Sequence, residues 1–313
     1  MPLPLVSIGI PTHNGADTVA AAVESALAQS WPRIEVLVLD DGSADGTRER
    51  LQAFLPHIRL LTQPNQGRAS ARNALLAAAS GRWIQWLDQD DLLLPRKIET
   101  QLEEAHWGED ADLIYSPCLL DEGSGSLRPQ PPCPEERLLS GWFSGELPQT
   151  GGYLWRSEAV KRLGGWSNRA PLFDDYELVG RAIRQGLRFR LSPTPGAVWR
   201  IRRGPIAAQR TLIFARQKAG VLEEMARWLD ESRGWTAPLR RSAGEAFFLV
   251  ARWLARSGEG REAESFFGQA SARGWIRPPT NPFYRILLDG FGFSRAERVA
   301  KVLRRLRFRP STV

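Results

Sequence analysis

The chain has 313 residues, 42% of them hydrophobic, which is enough for a buried core and longer than a typical single domain. No apolar run approaches the ~20 residues that a transmembrane helix needs, and the first residues lack the basic segment that opens a signal peptide. Composition therefore argues against an integral membrane protein, and we expect a cytoplasmic protein made of one large domain and a smaller appendage.

The formal net charge of +7 hides an asymmetry along the chain. Residues 1–180 carry 15 Lys and Arg against 25 Asp and Glu, whereas residues 181–313 carry 27 against 10. An acidic region suits bound cations, and a basic region suits anionic partners. We therefore expect any cation site in the first part of the chain.

Short apolar segments alternate with amphipathic ones in the first third of the chain. This order is typical of βαβ units and predicts an α/β fold, in which helices flank a mostly parallel sheet of the nucleotide-binding type. The predicted strands are residues 6–10, 34–39, 58–62 and 83–87, and the predicted helices are residues 16–29, 46–53, 67–79 and 96–105.

The rest of the chain has a different character. Prolines and glycines break any period over residues 121–149, so we expect a loop there. Farther along, helical periodicity dominates, for example at Leu222 and Leu229. The sequence thus predicts an α/β domain over residues 1–205 and an all-helical C-terminal module over residues 206–313.

Two polar clusters directly follow the first two predicted strands. They are Pro11–Asn14 (PTHN) and Asp40–Ser43 (DDGS). Ligands of parallel α/β sheets bind beyond the carboxyl ends of the strands, so both clusters are candidates for a binding site. Each cluster taken alone is also compatible with a turn and a helix cap.

A third cluster, Asn65–Asn73 (NQGRASARN), places a glycine at the start of a predicted helix and two arginines one turn apart. A helix N-terminus beside guanidinium groups suits a diphosphate. Arg68 is also compatible with a solvated helix face. Arg72 lies among small residues, which makes it the better candidate.

The fourth cluster ends the fourth predicted strand with three carboxylates in four positions, Asp88, Asp90 and Asp91. Carboxylates this close raise each other's pKa, and a divalent cation resolves their repulsion. Oxygen ligands favour Mg²⁺ or Mn²⁺. The alternative is a structural turn in which Asp91 caps the following helix.

In this order the four motifs resemble those of the family 2 glycosyltransferases, which have the GT-A fold, and the resemblance extends over residues 5–205. It implies a site for a nucleotide-diphosphate sugar, in which Asp41 bonds the base and Asp88 approaches the ribose or the sugar. The metal that bridges the diphosphate would be bound by Asp90 together with Asp88. The other residues implied to line the nucleotide are Pro11, His13, Asn14 and Arg72.

Two downstream segments resemble the catalytic part of the same family. Gly164–Trp166 (GGW) matches its Gly-Gly-aromatic loop, and Phe173–Leu178 (FDDYEL) matches the acidic pair that opens the next helix. The resemblance implies that Asp175 is the catalytic base, with Asp174 beside it. Both carboxylates are also compatible with a structural role, as negative charges at a helix N-terminus.

One segment departs from the family pattern, in which an aromatic residue and an arginine precede a histidine that can bind the metal. This chain reads Trp199–Arg202 (WRIR), and no histidine occurs after His106. Arginine cannot bind a metal, but Arg202 can pair with phosphate oxygens. The departure favours a metal that arrives with the donor.

The resemblance implies an inverting, metal-assisted enzyme that moves a hexosyl or related group to a hydroxyl of a glycan or lipid-linked acceptor, in the synthesis of a cell-envelope polysaccharide or glycolipid. We expect acceptor choice to lie in residues 121–149 and around Trp142, Trp155 and Trp166. Two alternatives stay open: a catalytically inactive relative that binds nucleotide sugars, and a basic nucleic-acid-binding protein. The acidic first part of the chain argues against the second.

The end of the chain predicts a basic amphipathic helix over residues 294–308. Ala296, Val299 and Leu303 fall on one face, and basic residues such as Arg298 fall on the other. Such a helix can lie on an anionic membrane surface, which would make the protein peripheral at the inner face of the membrane. Packing of the apolar face onto the rest of the protein is the alternative.

Overall fold

The computed structural model describes residues 3–201, 211–274 and 292–307, together with residues 284, 286 and 288. The chain divides into two compact units. The first unit contains Met1–Leu138 and Gly145–Arg202, and the second contains Leu139–Ser144 and Arg203–Val313.

The described residues of the first unit form two sheets with helices packed around them. The strands are β1 (Val6–Thr12), β2 (Ile34–Asp41), β3 (Arg59–Gln63), β4 (Trp83–Trp86), β5 (Leu92–Leu93), β6 (Leu113–Tyr115), β7 (Cys118–Asp121), β8 (Leu127–Pro129), β9 (Tyr153–Arg156), β10 (Phe189–Leu191) and β11 (Ala197–Arg200). The helices are α1 (Val19–Leu27), α2 (Thr47–Gln52), α3 (Arg68–Ala78), α4 (Lys97–Glu104), α6 (Ser157–Arg162) and α7 (Asp174–Arg184). In chain order α5 (Leu138–Ser144) lies between α4 and α6, and all its residues after Leu138 belong to the second unit.

The main sheet has the strand order β10-β6-β9-β4-β1-β2-β3, and its strand pairs are parallel except those of β9. Every residue of β1 is buried between its neighbours β4 and β2. A strand covered on both faces is mostly apolar, as Val6, Ile8 and Ile10 are here. Because parallel strands end at the same edge, the residues that follow β1, β2 and β4 emerge side by side.

The predicted α/β fold is confirmed. Each strand and helix predicted in the first third of the chain is present, and its ends differ from the prediction by at most three residues. The alternation of short apolar and amphipathic segments was sufficient because β1, β4 and most of β2 are buried, whereas the amphipathic helices present one apolar face to them.

The segment 121–149, predicted as a loop, is only partly one. β8 pairs with β7 in a second sheet of order β5-β11-β7-β8, and α5 follows it. α5 has seven residues and buries Trp142 and Phe143. A helix this short contains too few apolar positions to show a period among the surrounding prolines.

The second unit is helical, as predicted. Its longer helices are α8 (Thr211–Glu231), α9 (Ala237–Ser257), α10 (Gly260–Ala272) and α11 (Phe293–Arg307). The apolar positions that indicated a helix, Leu222 and Leu229, are buried. In the part of the chain that the structure describes, no helix has the length and apolar character needed to cross a membrane.

The first turns of α11 pack within the second unit. The ring of Phe293 stacks on Phe267 with centroids 4.6 Å apart, and Ala296 is buried. The buried carboxylate of Glu297 accepts a hydrogen bond from the hydroxyl of Tyr284 at 2.6 Å. Packing within the second unit thus accounts for the apolar residues Phe293 and Ala296 at the beginning of α11. The side chains of residues beyond 300 lie outside the part that the structure describes.

The Gly-Gly-Trp turn after α6 depends on two glycines in the left-handed region. The φ angle is +83° at Gly164 and +75° at Gly165. A Cβ at Gly165 would collide with Oδ1 of Asn73, whereas nothing lies within 4 Å of such an atom at Gly164. Oδ1 of Asn73 accepts a hydrogen bond from the NH of Trp166 at 2.8 Å. The turn therefore fixes Trp166 against α3.

We predict that Gly165→Ala destabilises the protein more than Gly164→Ala. Both substitutions place an L-residue in the left-handed region, which costs about 1–2 kcal/mol. At Gly165 the side chain of Asn73 must move as well, so its bond to Trp166 is weakened. The free energy of unfolding in urea measures both effects. Equal losses would contradict a role for the contact with Asn73.

Candidate functional site

A cavity of about 380 Å³ lies at the edge of the main sheet where β1, β2 and β4 end. Residues from all four polar clusters of the sequence contribute to its wall. This edge is where parallel α/β sheets bind ligands. The lining residues are Pro11, Thr12, His13, Asp41, Asn65, Gly67, Arg68, Ala71, Asp88, Gln89 and Asp90.

Hydrogen bonds hold the loop after β1 against the loop after β2. Oδ1 of Asn14 accepts from the NH of Ala44, and the NH of Asn14 donates to Oγ of Ser43, both at 2.9 Å. Asn14 has a φ of +50°, a left-handed conformation that asparagine tolerates. Nδ1 of His13 lies 2.9 Å from the carbonyl oxygen of Asp41. Asn14 thus shapes the wall that His13 lines.

Asp41 holds the third cluster in place. Its buried carboxylate accepts hydrogen bonds from the NH groups of Gln66 and Gly67 at 2.9 Å, and from Nε2 of Gln63 at 2.7 Å. These bonds fix the residues that lead directly into α3. Asp41 therefore lines the cavity and also sets the position of the helix start on the opposite wall.

Arg72 lies beneath the cavity, and its side chain is fully enclosed by protein. Its guanidinium donates to Asp88 at 2.5 Å and to Asp174 at 2.6 Å, and it lies 4.2 Å from the ring centre of Trp166. Burial alone would lower the pKa of Arg72, but the two carboxylates raise it above its ordinary value. Arg72 therefore joins the fourth cluster to the start of α7.

The two acidic residues that open α7 differ in their surroundings. Asp174 is buried, and its Oδ2 accepts from Arg72 and lies 3.0 Å from Nε of Arg68. Its Oδ1 accepts from the NH of Asp175 at 3.0 Å. Asp175 is partly exposed as a whole residue, but its carboxylate is desolvated by the surrounding protein, and this burial together with the adjacent charge of Asp174 raises its pKa to about 6. Asp175 is therefore the member of the pair suited to accept a proton near neutral pH.

The acidic cluster after β4 divides in the same way. Asp88 and Asp90 line the cavity, whereas Asp91 is buried and accepts a hydrogen bond from the NH of Arg200 at 2.8 Å. Burial, together with the charge of Asp88, raises the pKa of Asp91 to about 8. Asp91 thus holds β11 and does not cap the following helix.

The carboxylates of Asp88 and Asp90 fit a hard divalent cation. Among the described residues, no three His, Cys, Asp or Glu side chains lie close enough together to hold a metal by themselves. Mg²⁺ is typically bound by one or two carboxylates, with phosphate oxygens and water at the remaining positions. The residues present therefore fit a cation that is shared with a bound diphosphate.

The predicted site residues fall into three groups. Those that line the cavity are Pro11, His13, Asp41, Asp88 and Asp90. Those that hold its walls or the residues beneath it are Asn14, Arg72 and Asp174. Asp175 follows Asp174 in α7, and Arg202 lies outside the described residues.

Gln89 lines the cavity although the sequence pattern did not mark it as a site residue, and Arg68, for which a solvated helix face was the alternative, lines it too. Oε1 of Gln89 accepts from the hydroxyl of Thr12 at 2.5 Å and from the NH of His13 at 2.9 Å, which ties the fourth loop to the first. Its position inside the acidic cluster is the signal that could have identified it. Arg68 looks like any solvated helix residue until its bond to Asp174 is seen.

The three tryptophans expected near the acceptor are buried, with exposed fractions of 1% for Trp142, 2% for Trp155 and 5% for Trp166. Trp155 lies in β9, inside the main sheet, and Trp166 packs against Arg72. The three rings are thus enclosed by protein in this structure, and the expectation that acceptor choice lies around them stays a prediction.

Comparison with known proteins gives a consistent picture. The family model described as "Glycosyl transferase family 2" matches residues 7–161. The chain is 31% identical over 228 residues to the succinoglycan biosynthesis protein ExoO of Rhizobium meliloti. This alignment covers 66% of the chain and 63% of ExoO, so the chain spans less than two thirds of that relative.

Two solved structures share the fold. The mannosyltransferase PcManGT of Pyrobaculum calidifontis, in complex with GDP-Man and Mn²⁺, matches with a TM-score of 0.58 and 19% identity, over 97% of this chain and 87% of that one. Residues 1–349 of S. aureus TarS, in complex with UDP-GlcNAc, match with a TM-score of 0.57 and 15% identity, over 88% of this chain and 93% of that one. At these identities the likeness concerns the fold.

We predict that Arg72→Met lowers the free energy of unfolding by about 3 kcal/mol or more, because it leaves the buried carboxylate of Asp174 without its main partner. Arg68→Met is the matched control. It removes a half-exposed pair to the same carboxylate, so its loss should stay below about 1 kcal/mol. Urea denaturation measures both variants, and similar losses would show that burial of Arg72 does not set the stability of this site.

Proposed function

Because this chain belongs to glycosyl transferase family 2, we propose that it transfers a sugar from a nucleotide-diphosphate sugar to an acceptor hydroxyl, with inversion at the anomeric carbon. The observation that carries the proposal is the link from Asp88, which lines the cavity beside Asp90, through buried Arg72 to Asp174, the first residue of the acidic pair of α7. It joins the proposed metal ligands, the cavity and the proposed base in one connected structure. We call the cavity lined by Asp88 and Asp90 the donor cavity.

The donor cavity has the size and polarity that a nucleotide diphosphate needs. Its volume of about 380 Å³ lies within the ~300–1,000 Å³ of small-molecule sites. We assign the base and ribose to the side that Pro11, His13 and Asp41 line. We assign the diphosphate to the start of α3, where Arg68 supplies a positive charge.

The cation that fits Asp90 and Asp88 is Mn²⁺ or Mg²⁺. When bound with the donor, it supplies positive charge that stabilises the departing diphosphate. The structural relative PcManGT was solved with GDP-Man and Mn²⁺, which supports this assignment. The chain itself contributes the two carboxylates and the bond from Arg72 that orients Asp88.

Asp175 is the base of the proposed reaction. It takes the proton of the acceptor hydroxyl while that oxygen forms its bond to the anomeric carbon, and the bond from the anomeric carbon to the diphosphate breaks on the opposite face. A single displacement of this kind inverts the anomeric configuration and requires no covalent nucleophile. Asp174 positions the base, because it is held by Arg72 and bonds the NH of Asp175.

We propose that the acceptor is a glycan or a lipid-linked saccharide of the cell envelope. The role that its name gives to ExoO, succinoglycan biosynthesis, supports a polysaccharide or glycolipid product.

Attachment of α11 to an anionic membrane stays a prediction. Phe293 and Ala296 already pack within the second unit, so contact with the membrane would be made by exposed residues of α11 such as Arg298. A nucleotide-sugar-binding protein without activity is the alternative, and turnover of the donor distinguishes the two.

We predict that release of nucleoside diphosphate from a panel of UDP- and GDP-sugars stops in EDTA and resumes with Mn²⁺ or Mg²⁺. Asp90→Asn should abolish both this release and the Mn²⁺-dependent rise in melting temperature that the donor causes. Asp91→Asn is the matched control, because Asp91 does not line the cavity and the amide oxygen of asparagine can still accept the hydrogen bond from the NH of Arg200. Full activity in EDTA would refute the metal assignment.

We predict that Asp175→Asn lowers turnover by roughly 10²-fold or more while donor binding survives. The base works in its ionised form, so kcat/KM of the wild type should fall as the pH drops through about 6, the raised pKa of Asp175. This limb should be absent from the residual activity of the variant. If Asp174→Asn abolishes activity and Asp175→Asn does not, the base is Asp174.

A further inference from the structure

A second cavity, of about 530 Å³, lies in the first unit and shares no lining residue with the donor cavity. Its wall is formed by the second sheet and by the segment between β8 and β9. The wall contains apolar side chains, one indole ring, the side-chain amides of two glutamines and one ion pair. These side chains include Leu120, Pro131, Arg137, Glu146, Gln149 and Trp199.

The second cavity lies at the same edge of the main sheet as the donor cavity. β9 runs antiparallel to β6 and β4, and Tyr153 pairs with Tyr115, so the beginning of β9 lies where β6 and β4 end. Gln149 lies just before the turn that leads into β9. Nε2 of Gln85, in β4, donates to the carbonyl of Gly151 in this turn at 3.1 Å. The main sheet therefore places the Gln149 wall on the catalytic edge.

The wall opposite Gln149, which contains Trp199, is hydrogen-bonded to the acidic cluster that follows β4. Trp199 precedes Arg200 in β11, and the NH of Arg200 is bound by Asp91. Asp91 follows directly on Asp90, which lines the donor cavity. An acceptor that occupies the second cavity would thus extend along the catalytic edge toward the donor cavity.

The chemistry of the wall suits a saccharide. Trp199 pairs with Leu120 on the neighbouring strand β7, so the indole and the leucine project from the same face of the second sheet. The C–H face of a sugar ring is apolar and stacks on aromatic rings. Within the described residues, no hydrogen bond to the side-chain amide of Gln149 is found, which leaves it available to hydroxyls.

An ion pair completes the polar part of this wall. Nη2 of Arg137 lies 2.8 Å from Oε2 of Glu146, and both side chains are partly exposed. Charged donors and acceptors of this kind bond sugar hydroxyls more strongly than neutral groups do. The wall therefore offers one aromatic face and several directional polar groups, which is the usual composition of a site that recognises a small polar ligand.

We propose that the second cavity binds the terminal saccharide of the acceptor, with the ring of Trp199 against its apolar face and Gln149 on its hydroxyls. The inference rests on the proposed function and adds the place of the acceptor to it: the terminal sugar residue of the glycan or lipid-linked saccharide lies in the second cavity, at the catalytic edge of the main sheet.

Saturation-transfer difference NMR with cellobiose, laminaribiose, maltose and chitobiose tests the proposal on the full chain. At least one disaccharide should receive saturation from the wild type. Trp199→Leu and Gln149→Ala should each weaken its binding by about tenfold. Trp107→Leu is the matched control, because Trp107 is an exposed tryptophan that lines neither cavity, and it should bind as the wild type does.

The melting temperature of each variant shows whether it is folded. The rise in melting temperature that UDP or GDP causes in the presence of Mn²⁺ shows whether its donor cavity is intact. Trp199→Phe, which keeps a ring, should retain part of the binding if Trp199→Leu lowers the melting temperature. No saturation of any disaccharide, or equal saturation in wild type and both cavity variants, overturns the proposal. If no nucleotide binds, the proposed function is overturned instead. The disaccharide experiment does not depend on nucleotide binding, so its result still tests whether the second cavity binds a sugar.

Discussion

The guanidinium of Arg72 is a cation that the protein encloses completely, and its two carboxylate partners come from distant parts of the chain. Asp88 follows β4, and Asp174 begins α7. A buried charge is tolerated only while its partners stay in place, because the loss of either leaves a charge without water or counter-ion. The position of α7 relative to β4 is therefore held by electrostatics as well as by packing.

The remaining parts of the site are arranged around the helix that carries Arg72. Asp41 fixes the residues that lead into α3, Arg72 projects from its middle, and Asn73 holds the turn that contains Trp166. The indole of Trp166 then covers the guanidinium. One helix thus aligns the nucleotide side of the donor cavity with the proposed base, and a shift of α3 would displace both together.

Much of this could be predicted from the sequence, because the strands and helices of the first part have clear periods and the polar clusters fall at strand ends. What could not be predicted depends on contacts between distant residues. The small residues around Arg72 favour it over the half-exposed Arg68, but nothing local predicts that it is enclosed between Asp88 and Asp174. Nor does anything local distinguish Asp91, which holds β11, from Asp90, which lines the cavity. The burial of Trp166 likewise depends on its contact with Arg72 and not on its neighbours in sequence.

The reversed direction of β9 has a consequence for how such a protein can change. Because β9 enters the main sheet from the catalytic edge, the exposed turns between β8 and β9 can lengthen or shorten there without altering β1, β2 or β4. Surface segments tolerate insertions at small entropic expense. Under the proposed function, a change in these turns would alter the wall of the second cavity, and with it the choice of acceptor, while the ends of β1, β2 and β4 keep the donor cavity unchanged.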